Sequence, residues 1–218
     1  MSLVYITRKT YIVACFNVNL TMALYKDIFK IKHNDLLPEK GKILISEPFL
    51  QDAYFQRSVV LLVEHNTQGS MGFVVNKKMD LWVNDFFEGL DNIPKIPIYI
   101  GGPVSSDRLF FIHSLGSIIP NSIQIDDNLY FDGNFESLKE YILSGKPVNE
   151  KVKFFLGYSG WIENQLHGEI NQNSWLVSRP ANLNLMLAEG ETFWKHSVEL
   201  IGGSYMTWIN YPKDPTLN

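Results

Sequence analysis

The chain has 218 residues, of which 45% are hydrophobic and 19% charged, a balance that suits a globular protein with a sizeable core. Its formal net charge is −4 and no stretch concentrates Lys and Arg, so direct binding to nucleic acid is disfavoured. The single cysteine, Cys15, excludes an internal disulfide framework and every multi-cysteine metal centre, and it favours a reducing, cytoplasmic location.

The first 21 residues have the outline of a signal peptide, with Arg8 and Lys9 ahead of a mostly apolar stretch over residues 11–20. The apolar part between the basic pair and Cys15 is too short for a signal peptide. Elsewhere, no apolar run reaches the roughly 18 residues that a membrane span needs. We therefore predict that residues 1–21 are a non-native or mis-called N-terminal extension, and that residues 22–218 form a single domain.

The sequence after residue 21 predicts many short strands interleaved with helices. Strands are expected over residues 43–45, 59–63, 72–75, 98–100, 109–112, 154–158 and 175–177, with a hairpin over 122–125 and 129–131. Helices are expected over residues 81–88, 135–143, 162–170 and 191–200, and Asn134 is the predicted N-cap of the second. The strands are too closely spaced for a regular βαβ alternation. The pattern predicts an α+β fold with a mixed, mostly antiparallel or partly closed sheet flanked by helices.

Standard catalytic and phosphate-binding motifs are incomplete in this sequence. Ser144-Gly145-Lys146-Pro147 lacks the first glycine and the final hydroxyl of a phosphate-binding loop. Gly157-Tyr158-Ser159-Gly160-Trp161 places a bulky indole where a nucleophile elbow needs a small residue. Neither segment supports an assignment of activity.

Histidines at two strand ends are the candidate catalytic residues. Glu64-His65 follows one predicted strand and His113 follows another. Either histidine could act as a general base, with Glu64 or Glu169 orienting it. A histidine that satisfies backbone groups is the alternative. The five histidines form no His-x-x-x-His pair, so no metal site is predicted.

Two further segments are the candidate ligand-binding residues. On the predicted helix over 162–170, Trp161, Gln165 and Glu169 fall four residues apart and line one edge. Gly101-Gly102-Pro103 follows a strand, where its amides could form a small anion nest or simply a tight turn. Asn76 completes the expected surface.

With these residues in view, the chain resembles the YqgE/AlgH family of bacterial proteins over residues 41–178. The matching stretches are residues 41–48 (GKILISEP), 55–65 (FQRSVVLLVEH), 69–76 (GSMGFVVN), 101–104 (GGPV), 154–161 (FFLGYSGW) and 165–176. The resemblance implies an α+β fold containing a small closed β-barrel surrounded by helices, in a cytosolic protein. It implies no settled reaction or cofactor. One branch of the family is labelled a transcriptional regulator, attached to control of exopolysaccharide synthesis.

These observations leave three functions open. The first is a non-enzymatic binding or regulatory protein that acts through a protein or small-molecule partner. The second is a hydrolase with a His/carboxylate site, with or without a metal. The third is an interaction module that uses exposed aromatic rings among Trp82, Phe86, Trp194 and Trp208. The sequence identifies no cofactor.

Overall fold

The strands belong to one hydrogen-bonded sheet in the computed structural model, which describes residues 32–181 and 183–213. The described strands are β1 (Ile43–Ser46), β2 (Val59–Asn66), β3 (Gly69–Val74), β4 (Lys78–Trp82), β5 (Pro97–Ile100), β6 (Val104–His113), β7 (Ile123–Asp126), β8 (Leu129–Phe131), β9 (Val152–Ile162) and β10 (Trp175–Ser178). The helices are α1 (Phe135–Leu143), α2 (Gln165–Asn171) and α3 (Gly190–Ile201), with 3₁₀ segments at Val83–Asp85, Gly116–Ile118, Leu185–Leu187 and Gly203–Asn210.

The long strand β9 organises the sheet. The order of neighbours is β10-β1-β2-β3-β9-β6-β8-β7, and β5 joins β9 in parallel while β4 pairs with β5. All pairs apart from β5–β9 are antiparallel within the described chain. The predicted α+β fold with a mixed, mostly antiparallel sheet is therefore confirmed.

The small closed barrel implied by the family resemblance is not supported. The strands β10 and β7 lie at the two ends of the sheet and do not pair with each other in the described residues. The sheet is therefore open. Strand β9 pairs with β5 in its first half and with β3 in its second.

Two predicted helices need correction. The helix expected over residues 81–88 is replaced by the end of β4 and a short 3₁₀ turn. Asn84 organises this turn, since its amide donates to the Leu90 carbonyl and its oxygen accepts from the Ile96 N–H. The helix expected over 162–170 begins only at Gln165, because β9 continues to Ile162, where hydrogen-bonded pairing with β3 competes with helix formation.

The core lies on both sides of the sheet. One apolar cluster sits between β5, β6 and α1, and a second fills the space beneath α2. Helix α3 packs near β1, where the buried Trp194 indole donates to the Ser46 carbonyl over 3.0 Å. Burial on both faces explains why β2 begins as an unbroken aliphatic run.

The outer edge of β10 is capped by a side chain. The Asn34 amide donates to the Val177 carbonyl over 2.5 Å, and its oxygen accepts from the Val177 N–H over 3.0 Å. One primary amide thus takes the place of a neighbouring strand.

The described residues from His33 onward form one compact unit. The predictions for residues 1–21 and for the start of a domain at residue 22 lie outside the described residues. Within 32–181 and 183–213, no helix combines the length and apolarity needed to span a bilayer.

Candidate functional site

Two clefts meet at the end of the β2–β3 hairpin, beside the last residues of β9. The Glu64 cleft has a volume of about 430 Å³ and the His65 cleft about 370 Å³. Gly69, Ser70 and Ile162 line both. Since consecutive strand residues point to opposite faces, Glu64 and His65 enter different clefts. We call the two clefts and the ridge between them the hairpin-end surface.

His65 is held by a cross-strand neighbour. Its Nδ1 lies 2.7 Å from the Ser70 Oγ, and its ring centroid lies 5.6 Å from that of His167. Burial lowers the pKa of His65, and the nearby His167 lowers it further. His65 and Ser70 therefore form a hydrogen-bonded pair, and the lowered pKa of His65 favours the neutral imidazole. In the described residues no carboxylate is hydrogen-bonded to this ring.

Glu64 does not orient His65. Its side chain is exposed, and its Oε1 accepts a hydrogen bond from the Asn66 amide over 2.6 Å. The carboxylate is thus available at the mouth of the Glu64 cleft.

The side chains of Trp161, Gln165 and Glu169 come together in a hydrogen-bonded cluster with a structural role, which we call the Glu169 cluster. Glu169 Oε2 accepts from the indole N–H of Trp161 over 2.9 Å and from that of Trp175 over 2.8 Å. Its Oε1 accepts from the Gln165 amide over 3.0 Å, and the Gln165 oxygen accepts from the Ile162 N–H. The carboxylate joins α2 to β9 and β10 and supports the ridge of the hairpin-end surface.

Asn76 lies elsewhere and is 1% exposed. Its oxygen accepts from the Val59 N–H over 2.9 Å, and its amide donates to the Arg57 and Gly190 carbonyls. These bonds fasten the start of β2 to the start of α3. All polar atoms of its side chain are occupied in this way.

The Gly101-Gly102-Pro103 turn lies against β9. A Cβ at Gly101 would lie 2.0 Å from the Gly157 carbonyl oxygen, and one at Gly102 would lie 2.4 Å from the Tyr158 backbone. Glycine is required because the two backbones touch. The arrangement fits a crossing point between strands better than an open anion nest, and Pro103 is exposed beside it.

His113 is fully buried and serves the fold. Its Nδ1 accepts from the Leu115 N–H over 3.2 Å, and its Nε2 lies 2.9 Å from the Ser122 Oγ and 3.1 Å from the Asp132 carbonyl. Burial lowers the pKa of His113, which favours a neutral ring with a proton on Nε2. None of these partners lines the hairpin-end surface.

The structure thus brings Glu64, His65 and Trp161 to one surface. The clefts are not lined by the other predicted residues Asn76, Gly101, Gly102, Pro103 and His113. No group of three or more metal-ligating side chains occurs in the described part of the chain. Trp194 and Trp208 are buried and cannot form an exposed aromatic patch.

Sequence reasoning missed a second polar site, which we call the lysine cleft. Its volume is about 350 Å³, and its functional side chains include Lys78, Trp82, Lys95, Tyr99, Lys153 and Glu189. The only signal in the sequence is Lys153 itself, a charged residue between Val152 and Phe154 in a mostly apolar strand. The other residues come together only through folding.

Comparison with known proteins supports a single family. The AlgH-like family model (DUF179) matches residues 43–206. A UPF0301 protein of Parabacteroides distasonis is 65% identical over 198 residues, covering 90% of this chain and 100% of the relative. A UPF0301 protein of Bacteroides thetaiotaomicron is 48% identical over 197 residues, with the same coverage of 90% and 100%.

Two solved structures share the fold. The crystal structure of protein DIP2367 from Corynebacterium diphtheriae has a TM-score of 0.66 at 20% identity, covering 83% of this chain and 95% of that one. The solution structure of the AlgH protein from Pseudomonas aeruginosa has a TM-score of 0.61 at 29% identity, covering 84% and 98%. The match to the family model and the close relatives confirm the resemblance seen in the sequence: this chain belongs to the AlgH-like family.

Proposed function

We propose that this chain is a non-enzymatic cytoplasmic binding protein whose hairpin-end surface holds a segment of a protein partner. The observation that carries the proposal is Ile162, whose side chain is 76% exposed on the ridge where the two clefts meet. An apolar knob between two concavities is the kind of feature that a partner covers on binding.

The surroundings of Ile162 fit an interface. Met71, Val104 and Tyr158 line the Glu64 cleft as partly buried apolar groups, and Asn66 and Gln68 supply polar groups. Protein interfaces combine an apolar centre with a polar rim in this way. The Glu169 cluster and the pairing of β3 with β9 hold the surface in place before binding, which reduces the entropy lost on association.

The charged residues that line the two clefts indicate which kind of partner segment would bind there. Within the described chain, the clefts are lined by Glu64 and Glu163 and by no Lys or Arg. Burial lowers the pKa of His65, which disfavours a positive charge on its ring. A segment with one apolar and one basic side chain therefore complements the surface, whereas nucleic acid is repelled. Any role in transcription would then be indirect, through this partner.

Site-specific photo-crosslinking tests the proposal. A benzophenone amino acid at position 162 should give one dominant covalent adduct in cells of the source bacterium. The same group at Leu143, which is 49% exposed at the end of α1, is the matched control. With the purified partner, Ile162→Asp should weaken binding at least about tenfold. Equal adducts from both positions, or none above background, would refute the proposal.

A hydrolase is the second candidate, because Ser70 Oγ and His65 Nδ1 lie 2.7 Å apart at a cleft. This pair has the geometry of a nucleophile and its base, although in the described residues no carboxylate bonds to the histidine. A fluorophosphonate reagent decides between the candidates. Labelling of the wild type that is lost in Ser70→Ala would support the hydrolase candidate. A wild-type protein that is not labelled would exclude it.

A further inference from the structure

We propose that the lysine cleft binds a small organic anion, a molecule with a carboxylate or phosphate group on a planar, apolar body. This site is separate from the hairpin-end surface and does not depend on the function proposed there. Its walls come from β4, β5, the start of β9 and the segment around Leu185–Leu187. A volume of about 350 Å³ lies at the small end of the range for ligand clefts.

Lys153 forms the floor of the cleft. It is 2% exposed, and its Nζ donates to the Ala188 carbonyl over 2.6 Å and to the Met186 carbonyl over 3.3 Å. The same nitrogen lies 3.6 Å from the centre of the Tyr99 ring. In the described chain no carboxylate lies within 4 Å of this nitrogen. Because buried charges are normally paired, the ammonium lacks the partner that an anionic ligand would supply.

Burial supports this interpretation. It lowers the pKa of Lys153 from its ordinary value of 10.5 to about 7, while Glu189 opposes the shift and Lys78 adds to it. An anion beside the nitrogen would favour the protonated form. Binding is therefore expected to take up a proton above pH 7 and to be tighter at pH 6 than at pH 8.

The rim supplies more positive charge and a flat surface. The Lys78 and Lys95 nitrogens lie 5.7 and 5.1 Å from the centre of the Trp82 ring. Trp82 is half-buried, so part of its ring remains open to stack on a planar ligand. The cleft is lined by three lysines and two glutamates, Glu150 and Glu189, which gives a net formal charge of +1 when Lys153 is protonated.

Tyr99 and Glu189 favour a ligand with a single compact anionic group. Burial, together with the charge and hydrogen bond of Glu189, raises the pKa of Tyr99 to about 12, so the phenol stays neutral. Glu189 also approaches Lys78 at 3.5 Å. This carboxylate would repel a polyanion, which leaves one anionic group beside Lys153 and the body of the ligand towards Trp82.

Titrations with phenyl phosphate and benzoate test the site, with benzamidine and benzyl alcohol as cationic and neutral controls of similar size. Binding is followed by NMR on the indole N–H signal of Trp82. At least one of the two anions should bind saturably, and neither control should. The affinity should fall at least about tenfold in both Lys95→Glu and Lys153→Met.

Two matched variants make the outcome decisive. Lys151→Glu alters an exposed lysine two residues from Lys153 and outside the cleft, and Ile162→Asp alters the hairpin-end surface, so both should bind like the wild type. Lys95→Glu lies on the exposed rim, so it remains informative if Lys153→Met does not fold. No saturable binding of either anion, or equal losses in Lys95→Glu and Lys151→Glu, would overturn the proposal. In that case Lys153 only clamps the Leu185–Leu187 segment.

Discussion

Removing the Glu169 carboxylate should be among the most damaging single changes to the fold. In Glu169→Ala, the indole N–H groups of Trp161 and Trp175 lose their shared acceptor. Both rings are buried, so water cannot readily replace the carboxylate. An unsatisfied buried donor costs about 1–3 kcal/mol, which for two donors gives a loss of about 2–6 kcal/mol in the free energy of unfolding. That is a large part of the 5–15 kcal/mol typical of a domain.

Urea unfolding monitored by circular dichroism measures this loss in the free energy of unfolding. Glu169→Gln is the matched control, because its amide oxygen can still accept from both indoles, and it should lose about 1 kcal/mol. Gln165→Ala removes two exposed hydrogen bonds, to Glu169 and from the Ile162 N–H, which water can replace, so it should lose less than Glu169→Ala. A free energy of unfolding for Glu169→Ala within about 1 kcal/mol of the wild type would show that the Glu169 cluster does not stabilise the fold as described.

Asn76→Ala should lower the free energy of unfolding by about 3 kcal/mol, because a buried N–H and two carbonyls lose their partner; a loss below about 1 kcal/mol in urea unfolding would contradict this. Iodide should quench tryptophan fluorescence more than caesium does, because Trp82 alone of the five tryptophans is not buried and two lysines flank it. Lys95→Glu should reduce that difference, and an unchanged ratio would count against the geometry of the rim. The pKa of Lys153 is lower in the folded than in the unfolded chain, so the unfolded state binds more protons between pH 7 and 10.5 and stability should rise with pH there, by at most about 1.4 kcal/mol per pH unit. Lys153→Met should flatten this rise in urea midpoints measured at several pH values, and a parallel profile would refute the assignment.

Much of the sheet could be predicted because its strands are short, aliphatic and bounded by turn residues. Strands β1, β2 and β9 were expected within a few residues of their observed bounds. The error over residues 81–88 arose because pairing with β5, a contact that sequence spacing does not reveal, turns Lys78–Trp82 into a strand. The fully closed barrel was implied by the family resemblance, whereas the residues alone predicted a mixed or partly closed sheet.

The candidate site was predicted less fully, for a reason of geometry. Glu64 and His65 were expected to act together, yet neighbouring residues on a strand face opposite ways. His113 was expected at a cleft because it ends a strand, but the β7–β8 hairpin covers it. A site at Lys153 was not predicted, because the residues around it come from four separate segments of the chain.

The Asn34 amide has a consequence for self-association. A bare outer strand offers unpaired N–H and C=O groups to any other chain, and such rows seed aggregation. Here the outward-facing groups of Val177, near the middle of β10, are already occupied. By occupying these groups, Asn34 prevents another chain from adding a strand at this point of β10.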